Sequence, residues 1–363
     1  MNLSGPVPKI LAPGTVHGHN SLLKNMAPPL KILAIQFKAL GDALLLIPSL
    51  QAIRRRYPDC ALHALISEAA VPLLKYEPSL TRLWSIPRVR GRARFKQNWP
   101  VIRALRAERF DRSVDFSGND RGAILSRLCG ARERLGWDAP GGFLGRRYCY
   151  TRRVALAPLD RHEALRSCAV LFAWDIAPPH SLEIKIHADP ALDAPAAQIL
   201  PQPSIICHLG AAMAKKQWPV SHWAALYKIA KAAGLQLAFT PGHNPREQML
   251  ASELKTLVPE APVLPTLDLS MFLALLKRSR ALITGDTGPM HFAASLDVPL
   301  IALFGPTPVA RWKPLGQRQQ VLTGDPCHCE PNSHVCQGAN HCMAAISPEQ
   351  VLASLQNILT PRR

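Results

Sequence analysis

Residues 284–291 run Thr284-Gly285-Asp286-Thr287-Gly288-Pro289-Met290-His291, types and spacing that suit the binding of an anionic group. The apolar residues 281–283 before them read as the end of a buried strand, and the Ala-rich stretch after them as a helix. The polar cluster therefore falls on a strand-to-helix turn. Glycines at 285 and 288 let the backbone turn and approach a ligand closely. Thr287 and Gly288 would present N–H groups at the positive end of the helix, where phosphate binds. His291 stands one turn along the helix. A structural turn capped by Asp286 and Thr287 is the plainer alternative. His291, and Phe304-Gly305-Pro306-Thr307 after the next apolar strand, weigh against it.

Two further places carry possible chemistry. Asp42 stands on a Leu-Gly-Asp turn where the first apolar strand meets its helix; the residue suits a helix N-cap as well as a general base. Lys215 and Lys216 lie between a Gly210-Ala211-Ala212 loop and Trp218-Pro219, where a lysine could neutralise a diphosphate.

The 285–291 motif, its Ala-rich helix and Leu303-Phe304-Gly305-Pro306-Thr307 together resemble the nucleotide-sugar site of family 9 glycosyltransferases, the lipopolysaccharide heptosyltransferases. Residues 31–45 are similar to that family's opening strand and Leu-Gly-Asp turn. His208-Leu209-Gly210-Ala211, Lys216-Gln217-Trp218-Pro219 and Trp223 are similar to its phosphate loop and following helix. The Cys-rich segment and residues 346–352 also fit, so the resemblance covers nearly all of the chain from about residue 30.

The resemblance implies a GT-B architecture, two Rossmann-like α/β domains facing across a cleft. It implies inverting, metal-independent transfer of a heptose from ADP-heptose to the Kdo/heptose region of the lipopolysaccharide inner core. It makes Asp42 the base and selects Lys216 over Lys215 as the diphosphate clamp. Donor contacts would come from Gly210, Ala211, Ala212, Lys216, Asn244, Leu267, Asp286, Thr287, Gly288 and His291. Two departures from relatives stand out. Ala211 and Ala212 replace hydroxyl residues, leaving backbone N–H groups to hold phosphate there. Asn244 aligns with a ribose-contacting position that is often Glu. With no Asp-x-Asp carboxylate pair in the chain, lysine and a helix terminus would stand in for magnesium, so no cofactor is expected beyond the ADP-sugar substrate.

The elements needed to position these groups read as two α/β halves, strands alternating with helices. The chain has 363 residues, 48% of them hydrophobic and 19% charged, which fits a globular protein of two domains. Residues 1–29 read as a disordered tail, 30–187 as an acceptor-binding domain and 188–203 as a linker. Residues 204–346 read as a nucleotide-sugar domain, and 347–363 as a C-terminal helix that could pack back on the first domain. No apolar run reaches the ~20 residues of a membrane span.

The net charge of +18 is uneven. Residues 1–180 hold 28 Lys and Arg against 13 Asp and Glu, while residues 181–363 hold 15 against 12. Arg88, Arg90, Arg92 and Arg94, with Arg121, are the acceptor-binding candidates, because a basic surface attracts an anionic lipid-linked glycan or an anionic membrane. No nucleic-acid-binding signature accompanies the charge. A monomer in the cytoplasm, peripheral to the inner membrane, is the expectation.

Cys327, Cys329, Cys336 and Cys342, interleaved with His328, His334 and His341, could hold a metal, but their spacing matches no standard zinc pattern. A loop of thiols is the favoured reading. Three other functions stay open: transfer of another sugar or to another acceptor, a GT-B-fold epimerase, and a non-catalytic basic binding protein.

Overall fold

The computed structural model describes residues 29–87, 95–155, 161–179, 182–211, 213–327, 329, 336 and 342–360. In the central strands, runs of Ile, Leu, Val and Ala are buried almost end to end, the pattern of parallel sheets covered on both faces. The first sheet comprises Lys31–Gln36 (β1), Ala61–Ser67 (β2), Arg82–Ile86 (β3), Arg112–Asp115 (β4), Glu133–Asp138 (β5) and Arg152–Ala155 (β6). Its order is β3-β2-β1-β4-β5-β6 and every pairing is parallel. The second comprises Ile205–His208 (β7), Leu237–Thr240 (β8), Ala281–Gly285 (β9), Leu300–Phe304 (β10) and Gln319–Thr323 (β11), ordered β11-β10-β9-β7-β8 and also parallel.

In each sheet the strand order reverses at one point, between β1 and β4 and between β7 and β9. Such a reversal opens a crevice at the carboxyl ends of the strands, where open α/β sheets bind ligands. Asp42 follows β1, and the 286–291 turn follows β9. The two crevices meet: a Cβ on Gly41 would lie 3.4 Å from the His291 ring. One apolar cluster runs from Ile32 and Leu46 in the first half to Phe272 and Phe292 in the second. The architecture is GT-B.

The helix that follows the first strand is two helices, Leu40–Leu44 and Ile47–Arg56, the second with proline at its first turn, where no N–H is needed. Within the stretch 188–203, Asp189 caps a short 3₁₀ turn that runs into the helix Asp193–Ile199. That helix packs on Leu269–Arg278, where the Arg278 Nε donates to the Leu200 carbonyl at 2.6 Å. The C-terminal helix Pro348–Leu359 does not pack back on the first domain. Val351 and Leu355, one turn apart, bury instead among Trp223, Leu226 and Tyr227 of the second. The Trp218 indole N–H fixes the approach by donating to the Ile346 carbonyl at 2.9 Å. Among the described residues no helix is long and apolar enough to cross a membrane.

Candidate functional site

The second sheet's crevice is walled by the loop after β7 and the turn after β9. Lys216 ends a 3₁₀ turn, Ala214–Lys216, and its Nζ lies 2.6 Å from Asp286 Oδ2. Both side chains are largely withdrawn from water, where an ion pair is little screened. The loops touch through backbone: a Cβ on Gly285 would stand 3.2 Å from the Lys216 carbonyl oxygen, which favours glycine there. Thr287 is the N-cap of the helix Gly288–Ser295, but its hydroxyl turns toward Thr284 Oγ1 at 3.1 Å instead of capping. The helix start thus carries no side-chain cap; Pro289 has no N–H and the Met290 N–H donates to the Thr287 carbonyl at 3.2 Å, which leaves the Gly288 N–H, and Lys216 brings its ammonium to the neighbouring Asp286. Lys215 is buried.

Beside this cradle lies a cavity of about 170 Å³. Leu267, Phe272 and Phe292 make apolar walls, His208 and Thr240 supply polar atoms, and Leu40 closes it from the first domain. Apolar walls with a few convergent polar groups suit a flat heterocycle. Desolvation pulls the His208 imidazole down to about 4, so it is neutral at neutral pH, with Nδ1 3.2 Å from Thr240 Oγ1.

Asn244 is used locally. Its side chain accepts from the Arg246 N–H at 3.0 Å as the N-cap of the helix Pro245–Leu257. Glu247, three residues on, completes the capping box and wedges between two glycines. A Cβ would meet its carboxylate at 2.5 Å from Gly210 and 2.0 Å from Gly242. Burial raises the Glu247 pKa, opposed by the Asn244 N–H and by Arg246. Arg246 in turn donates to the Ala211 carbonyl at 2.8 Å, bracing the loop after β7. Ala212 lies outside the described residues.

On the first domain, Asp42 sits in the first turn of Leu40–Leu44 and accepts from the Ala39 N–H at 3.1 Å. Burial raises its pKa, Lys38 opposes the rise, and Glu163 adds to it. Glu163 is a group that sequence reading did not single out. It is buried, accepts from Arg166 and from Arg311 Nε at 2.9 Å, and stands 3.8 Å from Lys38. Arg311 belongs to the second domain, so this carboxylate ties the halves together. Next to it, His162 Nε2 lies 2.9 Å from the Lys313 carbonyl, again across the cleft. A His-Glu pair opening a helix carries no periodic or motif signal, because its partners are 148 and 151 residues away.

His291 is buried against Gly41. Desolvation brings its pKa down to about 4, with Asp286 opposing and His162 adding. Asp42, Lys38, Glu163, His162, His291, Asp286 and Lys216 therefore form one electrostatically linked cluster across the cleft.

Arg121 opens the helix Asp120–Cys129 at the mouth of the β1/β4 crevice, with its guanidinium 6.0 Å from the Phe37 ring. Arg88, Arg90, Arg92 and Arg94 lie outside the described residues, as do His328, His334 and His341. Cys329 Sγ is 3.9 Å from Cys336 Sγ, while Cys327 lies beside Cys342. Among the described residues no three His, Cys, Asp or Glu side chains are grouped to hold a metal ion.

Two parallel sheets whose switch-point crevices face one another define a GT-B fold, here with a lysine and a helix N-terminus beside an apolar cavity. Residues 99–341 match the model of glycosyltransferase family 9 (heptosyltransferase), and the chain belongs to that family. A lipopolysaccharide heptosyltransferase 1 from Pseudomonas aeruginosa is 27% identical over 315 residues, covering 83% of this chain and 86% of that protein. A family 9 glycosyl transferase structure from Veillonella parvula superimposes with a TM-score of 0.80 at 22% identity, covering 92% of this chain and 98% of that one. The E. coli heptosyltransferase WaaC, solved with ADP-2-deoxy-2-fluoro heptose, gives a TM-score of 0.67 at 19% identity, covering 90% and 99%.

Proposed function

We propose that this glycosyltransferase moves a heptose from ADP-heptose to the Kdo/heptose inner core of lipopolysaccharide, with inversion and without a metal ion, at the cytoplasmic face of the inner membrane. The observation that carries this reading is the Lys216–Asp286 pair at the β7/β9 crevice, directly across from the Asp42 turn. Adenine would enter the cavity walled by Leu267 and Phe272, and Glu247 lies on the path from there to the phosphate loop. The diphosphate would lie on the N–H groups of Gly210, Ala211, Ala212, Thr287 and Gly288, with Lys216 beside it and His291 behind. Asn244 would act through the helix that it caps. Arg88, Arg90, Arg92, Arg94 and Arg121 would hold the anionic acceptor on the first domain.

In the reaction Asp42 takes the proton of an acceptor hydroxyl as its oxygen attacks the anomeric carbon. The bond from that carbon to the diphosphate breaks on the opposite face, which inverts the configuration. Lys216 and the helix N-terminus stabilise the charge that develops on departing ADP, the task a divalent cation performs elsewhere. The relative solved with a fluorinated ADP-heptose supports the donor, and the lipopolysaccharide heptosyltransferases among the relatives support the acceptor. Mass spectrometry of lipopolysaccharide from a strain lacking the protein tests the reading. The core should stop before the heptose that the enzyme adds; an unchanged core would sink it.

A further inference from the structure

Eight large apolar side chains stand exposed among the described residues, and three of them, Phe143, Leu144 and Tyr148, belong to the connection between β5 and β6. Leu144 is 100% exposed, and Tyr148 is 66% exposed. Water penalises such a cluster, and exposed apolar groups gathered in one place mark an interaction surface.

The connection is built, not slack. Arg146, itself buried, donates to the Ala139 carbonyl and stands 3.4 Å from Asp120. The Phe143 N–H donates to the same Asp120 carboxylate at 3.3 Å. Gly142 holds φ +85°, and a Cβ there would fall 2.3 Å from Asp120 Oδ1, so the turn requires glycine. Behind the tip the Tyr150 hydroxyl donates to buried Asp115 at 2.6 Å. These fastenings hold Phe143 and Leu144 outward.

The charge around the tip is net positive. Residues 138–153 contain four arginines and one aspartate, and Arg153 lies 2.5 Å from that aspartate. Exposed Arg147 stacks over the Tyr148 ring at 4.8 Å and donates to its hydroxyl. An apolar tip with a tyrosine and an arginine at its shoulder is the arrangement that seats at a lipid–water boundary, apolar groups among the acyl chains and arginine among anionic headgroups. The place in the fold agrees. Asp120, which anchors the loop, starts the helix after β4, so the tip stands on the rim that carries Asp42 and Arg121.

We propose that the 139–148 loop docks the first domain on an anionic lipid bilayer, with Phe143 and Leu144 entering the membrane and Arg147 at headgroup depth. The purpose of this contact rests on the lipid-linked acceptor proposed above, but the contact itself needs no turnover.

The test is flotation of the full-length protein with vesicles of phosphatidylcholine containing phosphatidylglycerol, and of phosphatidylcholine alone. Wild type should float with the anionic vesicles and lose much of that binding as salt rises. The double substitution F143S/L144S should lower the bound fraction at least tenfold, and L144E alone, at a side chain with no packing to lose, severalfold. R147Q should remove most of the preference for anionic vesicles. ADP affinity should stay at the wild-type value in every variant, which reports an intact fold. Equal flotation of wild type and F143S/L144S would overturn the proposal. So would failure of wild type to bind anionic vesicles, or a dimer in sedimentation velocity that F143S/L144S dissolves, which would give the tip to a second copy of the chain. Transfer to a soluble, deacylated acceptor, measured separately, reads the proposed activity without the membrane.

Discussion

At the scale of single residues the account turns on the protonation of Asp42 and the charge of Lys216. Asp42→Asn keeps the size and the hydrogen bond from Ala39 but removes the proton acceptor. Transfer should fall ~10²-fold or more with donor affinity little changed; near-normal turnover would leave Asp42 as a helix-turn residue only. Because burial raises the Asp42 pKa, activity should be lost on the acid side at a pH above the ~3.9 of a free aspartate. Glu163 contributes to that rise, whereas Lys38 opposes it. Glu163→Gln should therefore shift the acid limb of kcat/KM to lower pH, and a shift to higher pH would contradict the assignment. Lys216→Ala should weaken ADP binding and slow transfer equally with and without magnesium. Asp42, Lys216, Asp286 and His291 were legible because each sits in a short motif on a strand-to-helix turn. Glu163 and Glu247 were not, because their neighbours at the site come from distant loops: Arg311 for the first, Gly210 for the second.

At the scale of elements, β1, β9 and β10 were plain in the sequence as uninterrupted apolar runs. The edge strands β6 and β11 were not. β6 is Arg-Arg-Val-Ala, mostly exposed, and β11 is half-buried Gln-Gln-Val-Leu-Thr, so neither carries the apolar signal of a central strand. The C-terminal helix was legible as a helix, but the partner of its apolar stripe was not. The capped helix Pro245–Leu257 gives this scale its test. Asn244→Ala should cost about 1 kcal/mol in chemical denaturation, whereas Asn244→Asp, which keeps an acceptor, should cost much less. An Ala variant of unchanged stability would remove Asn244 from the cap.

At the scale of the whole molecule, the two sheets are held together by contacts that also border the chemistry: Glu163 with Arg311, His162 with the Lys313 carbonyl, and Gly41 against His291. The fold class and the two halves could be read from alternating strands and helices, and the sharing of one buried cluster between them could not. Buried His291 gives the assembled molecule a pH signature. Its pKa falls from 6.5 to about 4 on folding, so between those values the unfolded chain binds the proton that the folded protein excludes. Stability should therefore rise with pH across that window by up to about 1.4 kcal/mol per unit from this group. Urea unfolding at pH 5 and pH 7 should show a smaller difference for His291→Gln than for wild type; an equal difference would place the titration elsewhere.

The central claim is that a lysine and a helix terminus, facing an aspartate, carry sugar transfer without a metal ion. It is tested most directly by incubating the purified protein with ADP-heptose and an inner-core acceptor in excess chelator, then weighing the acceptor by mass spectrometry. The account predicts growth by one heptose, with one ADP released per product, at the rate seen without chelator. Growth that stops when the chelator is added, or donor consumed while the acceptor stays unchanged, would contradict it.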